Sequence, residues 1–357
     1  MKVCILGDGL TSLALAKALV NKDIYTDVFL SKNNKKKDKS RTLGISKSNI
    51  EFFNKNIMNI EKLLWDIKKI EIYSENLNNE KIINFEKDNQ RLFSVIKNQK
   101  LISYLITQLK KNKFCKFKKN LSDYDSIKKD YQIIFNCELN NEITKKFFYK
   151  KFNKNYNSYA YTTIIEHKKI FKNNVASQIF TKEGPFAFLP ISDKETSVVY
   201  SFKGNEDIKL KDLIEKFNIK YKINKITKVN RFELRSSNLR TYYHKNILAF
   251  GDLLHKIHPL AGQGFNMSIR DIKTLLEIIE SKINLGLNLD NSICSEFENQ
   301  NKHKNYIFSN GVDLIYEFFN FENKINSNVL SKSIKLFVNN KISNKFFTKF
   351  ADEGILT

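Results

Sequence analysis

The first thirty residues leave the chain few folds to choose from. Val3 to Leu6 form a short β-prone apolar run, and Gly7-Asp8-Gly9 follows at once. Leu13 to Val20 is rich in Leu and Ala with helical spacing, and Asp27 to Leu30 is a second apolar strand. Strand, glycine turn, helix and strand in this order specify a βαβ unit opening a parallel sheet. Glycine is scarce elsewhere: the 357 residues hold 11 Gly and 3 Pro. Glycines kept in such a background mark places where the backbone needs them. They gather at Gly7 and Gly9, at Gly184 with Pro185 and Pro190, and at Gly251, Gly262 and Gly264 with Pro259.

Gly7-x-Gly9-x-x-Ser12 fits a dinucleotide turn in which Ser12 takes the third glycine place. The first glycine permits the tight turn, and the second lets a pyrophosphate approach the backbone. The helix N-terminus, at Thr11 and Ser12, then supplies N–H groups to the phosphates. An acid is expected after the second strand for a ribose; Ser31 and Lys32 stand there instead, and Ser31 can still hydrogen-bond a hydroxyl.

Downstream, a polar Lys- and Asn-rich loop spans Ser31 to Ser40. Helices are expected from Ser46 to Asn54, from Ile60 to Ile67 and from Lys100 to Lys110, where Leu101, Tyr104, Leu105 and Leu109 repeat helically. Glu71 to Phe93 reads as strand–turn–strand, with the turn at residues 76–79, and Tyr131 to Asn136 as a strand. Tyr156 to Phe202 alternates as antiparallel strands do. Asn246 to Phe250 is a strand, Gly264 to Ile283 a helix, and the remainder from Ser292 helical. The expectation is an α/β fold: a Rossmann-like domain, discontinuous over 1–70, 96–140 and 240–290. An antiparallel-sheet substrate domain is inserted over 71–95 and 141–239, and helices cover 291–357.

The segment Gly251-Asp252-Leu253-Leu254-His255-Lys256-Ile257-His258-Pro259-Leu260-Ala261-Gly262-Gln263-Gly264-Phe265-Asn266 carries a family resemblance. It resembles the G-D-A-A-H-x-x-H-P-x-x-G-Q-G-x-N signature of the FAD-dependent aromatic-ring hydroxylases, the para-hydroxybenzoate hydroxylase superfamily, nearest the ubiquinone-biosynthesis hydroxylases. Ala176-x-Gln178-x-Phe180 and Gly184-Pro185-Phe186-Ala187-Phe188-Leu189-Pro190 are similar to the family's middle sheet. Arg41 with Ile45 and Ser46 is similar to its R-x-x-x-L-S segment.

The resemblance implies FAD as cofactor, NAD(P)H as electron donor and O2 as oxidant. The product would be a ring-hydroxylated polyprenylated phenol or quinol in ubiquinone biosynthesis. It places Asp252 at the ribityl hydroxyls and Pro259 against the flavin ring. Gly262, Gln263 and Gly264 open a helix toward the flavin's N1–C2=O edge, and Asn266 lies near the ring. No side-chain acid or base is implied. With Gly7, Gly9, Thr11, Ser12, Ser31, Arg41 and Gly251, these form the candidate cofactor site.

The sequence departs from the family at Asn136-Cys137-Glu138-Leu139, where an Asp-Gly pair is usual and a positive φ is expected. It departs again at Leu253 and Leu254, expected to crowd the ring or repack the neighbouring helix. The departures motivate an alternative, a non-catalytic FAD-binding component of a quinone-biosynthesis complex. Another FAD oxidoreductase of the superfamily is a third reading. His255 and His258 invite a metal reading, but two histidines do not complete a ligand set, and no metal is expected.

The net charge of +23 comes mainly from Lys spread along the chain. Together with abundant Asn, Ile and Phe it reads as compositional drift, and no nucleic-acid partner is expected. Four separated cysteines define no disulfide framework. The apolar opening run ends in a glycine turn, as a strand does and a signal peptide does not, so a cytoplasmic chain is expected. Residues 328–350 read as helices packed on the FAD domain. Their basic amphipathic face leaves peripheral contact with the inner face of the membrane as the other reading.

Overall fold

The computed structural model describes residues 1–31, 40–75, 80–86, 89–119, 127–258 and 262–325. The chain runs β1 (Lys2–Leu6), α1 (Leu10–Val20), β2 (Tyr25–Phe29), β3 (Thr42–Ser46) and α2 (Lys47–Asn56). Then come β4 (Trp65–Ile67), β5 (Lys69–Ser74), β6 (Glu80–Glu86), β7 (Phe93–Lys97), α3 (Asn98–Lys110), β8 (Cys115–Lys118), β9 (Ile133–Asn136) and α4 (Glu142–Phe147). The middle holds β10 (Lys151–His167), β11 (Val175–Thr181), β12 (Gly184–Pro190), β13 (Glu195–Lys203), α5 (Leu210–Phe217), β14 (Ile223–Ile226) and β15 (Asn230–Leu239). Last are β16 (Tyr243–His244), β17 (Ile247–Ala249), β18 (His255–Lys256), α6 (Gln263–Asn284) and α7 (Ser292–Ile325).

Three sheets organise the described residues. The first has the order β16-β17-β9-β1-β2-β8. Its strands β17, β9, β1, β2 and β8 are parallel, and β16 closes one edge antiparallel. Ile133 to Asn136 and Ile247 to Ala249 are wholly buried, as strands in a sheet with both faces covered must be. Helix α1 packs on α3 and on α6, and α7 packs on α6. One polar group pins this sheet internally. Asp27 of β2, 5% exposed, accepts from Tyr131 Oη at 2.6 Å and pairs with Lys118 Nζ at 2.9 Å.

The second sheet runs β18-β15-β10-β13-β12-β11-β5-β6, with β14 also on β10. It is antiparallel except where β5 meets β11 in parallel, a pairing that local alternation cannot reveal. A small third sheet, β3-β7-β4, packs Ile67 and Val95 against Ala176 of β11. It corrects the helix expected over Ile60–Ile67: a single 3-10 turn at Glu61–Leu63 gives way to strand β4. The register with β7, Trp65 opposite Val95 and Ile67 opposite Phe93, overrides the local periodicity.

The period-2 pattern of β11 and β12 sorts their side chains to two faces. Ile179, Phe186 and Phe188 join Tyr161, Tyr200 and α5 in an aromatic core. Ala176, Gln178, Pro185, Ala187 and Leu189 fall on the opposite face, since Gln178 pairs with Ala187, which pairs with Val199. That face meets the first half of the chain. Thr42 Oγ1 lies 2.8 Å from Ser197 Oγ, and Ser40 Oγ lies 3.2 Å from Thr162 Oγ1. Residues 32–39, 76–79, 87–88, 120–126, 259–261 and 326–357 lie outside the described residues, and with them Lys32, the 76–79 turn, Pro259 and the 328–350 segment.

Candidate flavin site

Because β1, β9 and β17 are parallel, the turns that follow them emerge at one edge, where ligands of such sheets bind. The strand ladder knits the three turns together. Cys137 N–H donates to Leu6 O at 3.0 Å, and Phe250 N–H donates to Asn136 O at 2.9 Å.

Each glycine here answers a different demand. Gly7 has φ +109°, a conformation strained for any other residue, and a Cβ on it would meet Glu138 Cγ at 3.2 Å. Gly251 has φ +64°, and a Cβ would lie 3.1 Å from Thr11 Cβ and Cγ2. Its bareness lets the Gly251-Asp252 turn close on the first turn of α1. Gly262 caps α6 with φ +65°, and its Cβ would approach Gly44 N at 3.4 Å. Gly9 and Gly264 differ, because a Cβ on either meets nothing within 4 Å. Protein packing does not require those two glycines, and each faces open space.

These two glycines stand at helix N-termini, Gly9 as the N-cap of α1 and Gly264 in the first turn of α6. Neither α1 nor α6 has a side-chain cap or an acidic residue in its first turn. Their leading N–H groups and positive dipole ends therefore remain available to anions. Ser12, in the third glycine place, is 1% exposed and hydrogen-bonds the Cys137 thiol, so it joins α1 to the turn after β9. Burial pushes that thiol up to about 12; the Ser12 bond opposes the rise, and the nearby charges of Asp252 and Glu138 add to it. Asp252 itself is exposed at the mouth of the three turns. Ser31 stands part-exposed at the same sheet edge, beyond β2, and Arg41 is exposed just before β3. These features fit a dinucleotide laid across the edge from Gly9 to Gly262, with its anionic centre on α1 and its far end on α6.

Several expectations change. The turn at 136–141 needs no glycine, since none of its residues has a positive φ. Asparagines close it instead. Asn141 Nδ2 donates to Asn136 Oδ1 at 2.8 Å, Asn136 Nδ2 donates to Thr144 Oγ1 at 2.8 Å, and Asn141 caps α4 through Thr144 N–H. Leu253 and Leu254 do not crowd the edge: both are fully buried in the larger core. Asn266 is 1% exposed, and its amide acts as a clasp. Nδ2 donates to Gly44 O at 3.1 Å, while Oδ1 accepts from Ser46 N–H at 3.1 Å and Asn49 Nδ2 at 3.2 Å. It ties α6 to β3 and α2, so its side chain supports the site from behind.

Gln263 is buried beside Gly262. The two motif histidines diverge. His255 Nε2 is 2.5 Å from Asp271 Oδ2, whereas His258 packs edge-on to Tyr156 at 4.8 Å. Burial first, then Lys154, hold His258 down at about 3. No group of three or more metal-ligating side chains occurs among the described residues. Two surface concavities, of about 400 Å³ beside Trp65 and Arg91 and about 500 Å³ beside Phe152 and Tyr306, share no residue with the glycine turns. Among the described residues no helix is long and apolar enough to cross a membrane. Sequence reading missed Asp271 and its partners on α7, because a polar pair 16 residues apart leaves no local signature.

Comparison with known proteins agrees with this geometry. Residues 203–284 match the FAD binding domain family. The Schizosaccharomyces pombe ubiquinone biosynthesis monooxygenase COQ6 is 23% identical over 51% of this chain and 48% of its own length. The Escherichia coli 3-demethoxyubiquinol 3-hydroxylase is 28% identical over 40% of this chain and 39% of its own. The chain thus spans about half the length, or less, of the curated relatives it matches. Klebsiella pneumoniae HpxO, solved with FAD and uric acid, superposes with a TM-score of 0.76 at 12% identity, covering 99% of this chain and 97% of its own. The p-nitrophenol 4-monooxygenase PnpA of Pseudomonas putida gives 0.76 at 12% identity, covering 97% of both chains. These likenesses concern fold. The chain shares the fold of these solved flavoproteins, and its residues 203–284 match the FAD binding domain family.

Proposed function

We propose that the chain is an FAD-dependent monooxygenase that hydroxylates the aromatic ring of a polyprenylated phenol or quinol in ubiquinone biosynthesis. NAD(P)H supplies two electrons; one atom of O2 enters the ring and the other leaves as water. The observation that carries this reading is the convergence of three turns, after β1, β9 and β17, on an edge bordered by two uncapped helix N-termini. The names of the curated relatives supply the substrate class.

FAD would supply electron transfer and oxygen activation. The chain's own residues bind and orient. The first turn of α1 would hold the pyrophosphate on N–H groups that Gly9 leaves accessible, and Asp252 would accept hydrogen bonds from the ribityl hydroxyls. The N-terminus of α6 at Gly262 to Gly264 would face the flavin's polar edge and favour negative charge there. The sheet face bearing Gln178, Ala187 and Leu189 walls the space where an aromatic ring and its apolar tail are kept from water. Pro259, outside the described residues, is assigned to the ring's reactive side by resemblance.

Purified protein loaded with FAD should oxidise NAD(P)H faster when a prenylated phenol is added. A strain lacking the gene should accumulate an under-hydroxylated quinone precursor by mass spectrometry. Absence of both results would refute the proposal. Cys137 and Glu138 in place of an Asp-Gly pair favour a second reading, a flavin-binding subunit of a quinone-biosynthesis complex without turnover. Fast reduction of the bound flavin by NAD(P)H would eliminate it. Docking of the Lys-rich chain on the inner face of the membrane belongs to the same proposal and is tested by flotation with anionic vesicles.

A further inference from the structure

The buried pair His255–Asp271 has no part in the chemistry above, yet it sits inside the flavin segment. His255 lies between two site turns, three residues after Asp252 and seven before Gly262. Its Nε2 donates to Asp271 Oδ2 at 2.5 Å, with both side chains 1% exposed. Among the described residues its buried Nδ1 has no partner, and the hydrogen bond that orients the ring is the one to Asp271. Asp271, on α6, is held in turn by α7: its Oδ1 accepts from Asn301 Nδ2 at 3.2 Å and Asn305 Nδ2 at 3.0 Å.

Between Asp252 and Gly262 the regular structure among the described residues is the end of the Gly251–Leu253 3-10 turn and the two-residue strand β18, which pairs with β15 at Ser237 and Asn238. The path of such a segment is set by anchors, because it has almost no ladder of its own. Leu253, Leu254 and Ile257 are apolar anchors in buried clusters, and His255 and His258 are buried polar ones, of which His255 is tied to α6 through Asp271. Without Asp271, Nε2 would join Nδ1 as a second unsatisfied buried group. The ring would then leave its place to find water, moving the segment with it.

We propose that Asp271 is a positioning residue for the flavin site. It fixes His255, and through His255 the course of the chain from Asp252 to His258, while Asn301 and Asn305 make α7 a structural part of a site to which it contributes no motif. This rests on the reading of Gly251 to Gly264 as flavin-binding.

The test compares parent, Asp271→Ala, Asp271→Asn and the double variant Asn301→Ala/Asn305→Ala. FAD affinity is measured by quenching of flavin fluorescence, together with the absorbance spectrum of bound flavin and the melting temperature of the FAD-free protein. Asp271→Ala should weaken FAD binding about ten- to a hundredfold and move the flavin spectrum toward that of free FAD. Asp271→Asn, which keeps an oxygen for Nε2–H, should stay within a few-fold of parent, and the double variant should fall between. A folded Asp271→Ala protein with a lower melting temperature but parental affinity and spectrum would show a purely structural role and overturn the proposal. If Asp271→Ala does not fold, parental affinity and spectrum in the double variant overturn it equally. Failure of the parent itself to bind FAD would refute the flavin reading and this proposal together, an outcome distinct from either.

Discussion

Gly9 separates what the protein needs from what a ligand needs. It is the N-cap of α1 with φ −70° and ψ 172°, a conformation open to any residue, and a Cβ built there touches nothing within 4 Å. Gly9→Ala should therefore have little effect on the FAD-free protein. Reduced freedom of the unfolded chain contributes roughly 0.4–1 kcal/mol in favour. The poorer capping of Ala costs a similar amount, about 0.5–1 kcal/mol. The net change is within about 0.5 kcal/mol, or about 2 °C in melting temperature for a chain of this size.

The bound state should respond differently. A methyl group in the path of the pyrophosphate displaces it from the α1 N–H groups. Losing one or two bonds to a charged group, at about 1.5–3 kcal/mol each, weakens binding by about 3 kcal/mol, on the order of a hundredfold in Kd. The rise in melting temperature that saturating FAD gives the parent should shrink accordingly. Melting curves with and without FAD, plus a fluorescence titration, measure both quantities. A drop of several degrees in the FAD-free protein with Kd unchanged would refute the reasoning, because Gly9 would then serve packing.

Gly251→Ala should do the reverse. The left-handed backbone costs about 1–2 kcal/mol and the 3.1 Å approach to Thr11 about 1–3 more. A urea midpoint equal to parent would contradict this. Asp252→Ala should change the FAD-free stability by less than about 0.5 kcal/mol, since the side chain is exposed, while raising the FAD Kd about ten- to a hundredfold. Equal loss of both would place Asp252 in the fold. Burial alone would raise the Asp27 carboxyl, but hydrogen bonds from Lys118 and Tyr131, with the charges of Lys118 and Lys2, hold it below the usual carboxylate range. Its contribution is therefore complete above about pH 4 and is lost as pH falls through the depressed value. Asp27→Asn should lose roughly 1–3 kcal/mol at neutral pH, and its gap to parent should close only in acid. A gap that stays constant down to pH 3 would count against the pairing.

Local pattern was enough for β1, the Gly7-Asp8-Gly9 turn, α1, the strand before Gly251 and the start of α6 at Gly262, because tight turns and helix starts demand particular residues at fixed spacing. Spacing of two also paired Ala176 with Gln178 and Ala187 with Leu189 within their strands, while the register Gln178 opposite Ala187 brought the two pairs to one sheet face. Tertiary structure decided the rest. Trp65–Ile67 became a strand because β7 offered an edge. Leu253 and Leu254 turned into the core, and the turn at Asn136 closed without glycine because Asn141 and Thr144 supplied the missing bonds. Asn266 reached back to Gly44, and Asp271 found His255 on one side and α7 on the other. These partners stand between 3 and 222 positions apart along the chain. A residue's own side chain and its near neighbours encode conformation, but the partner of a buried polar atom is fixed only when distant segments pack, and no local pattern records that meeting.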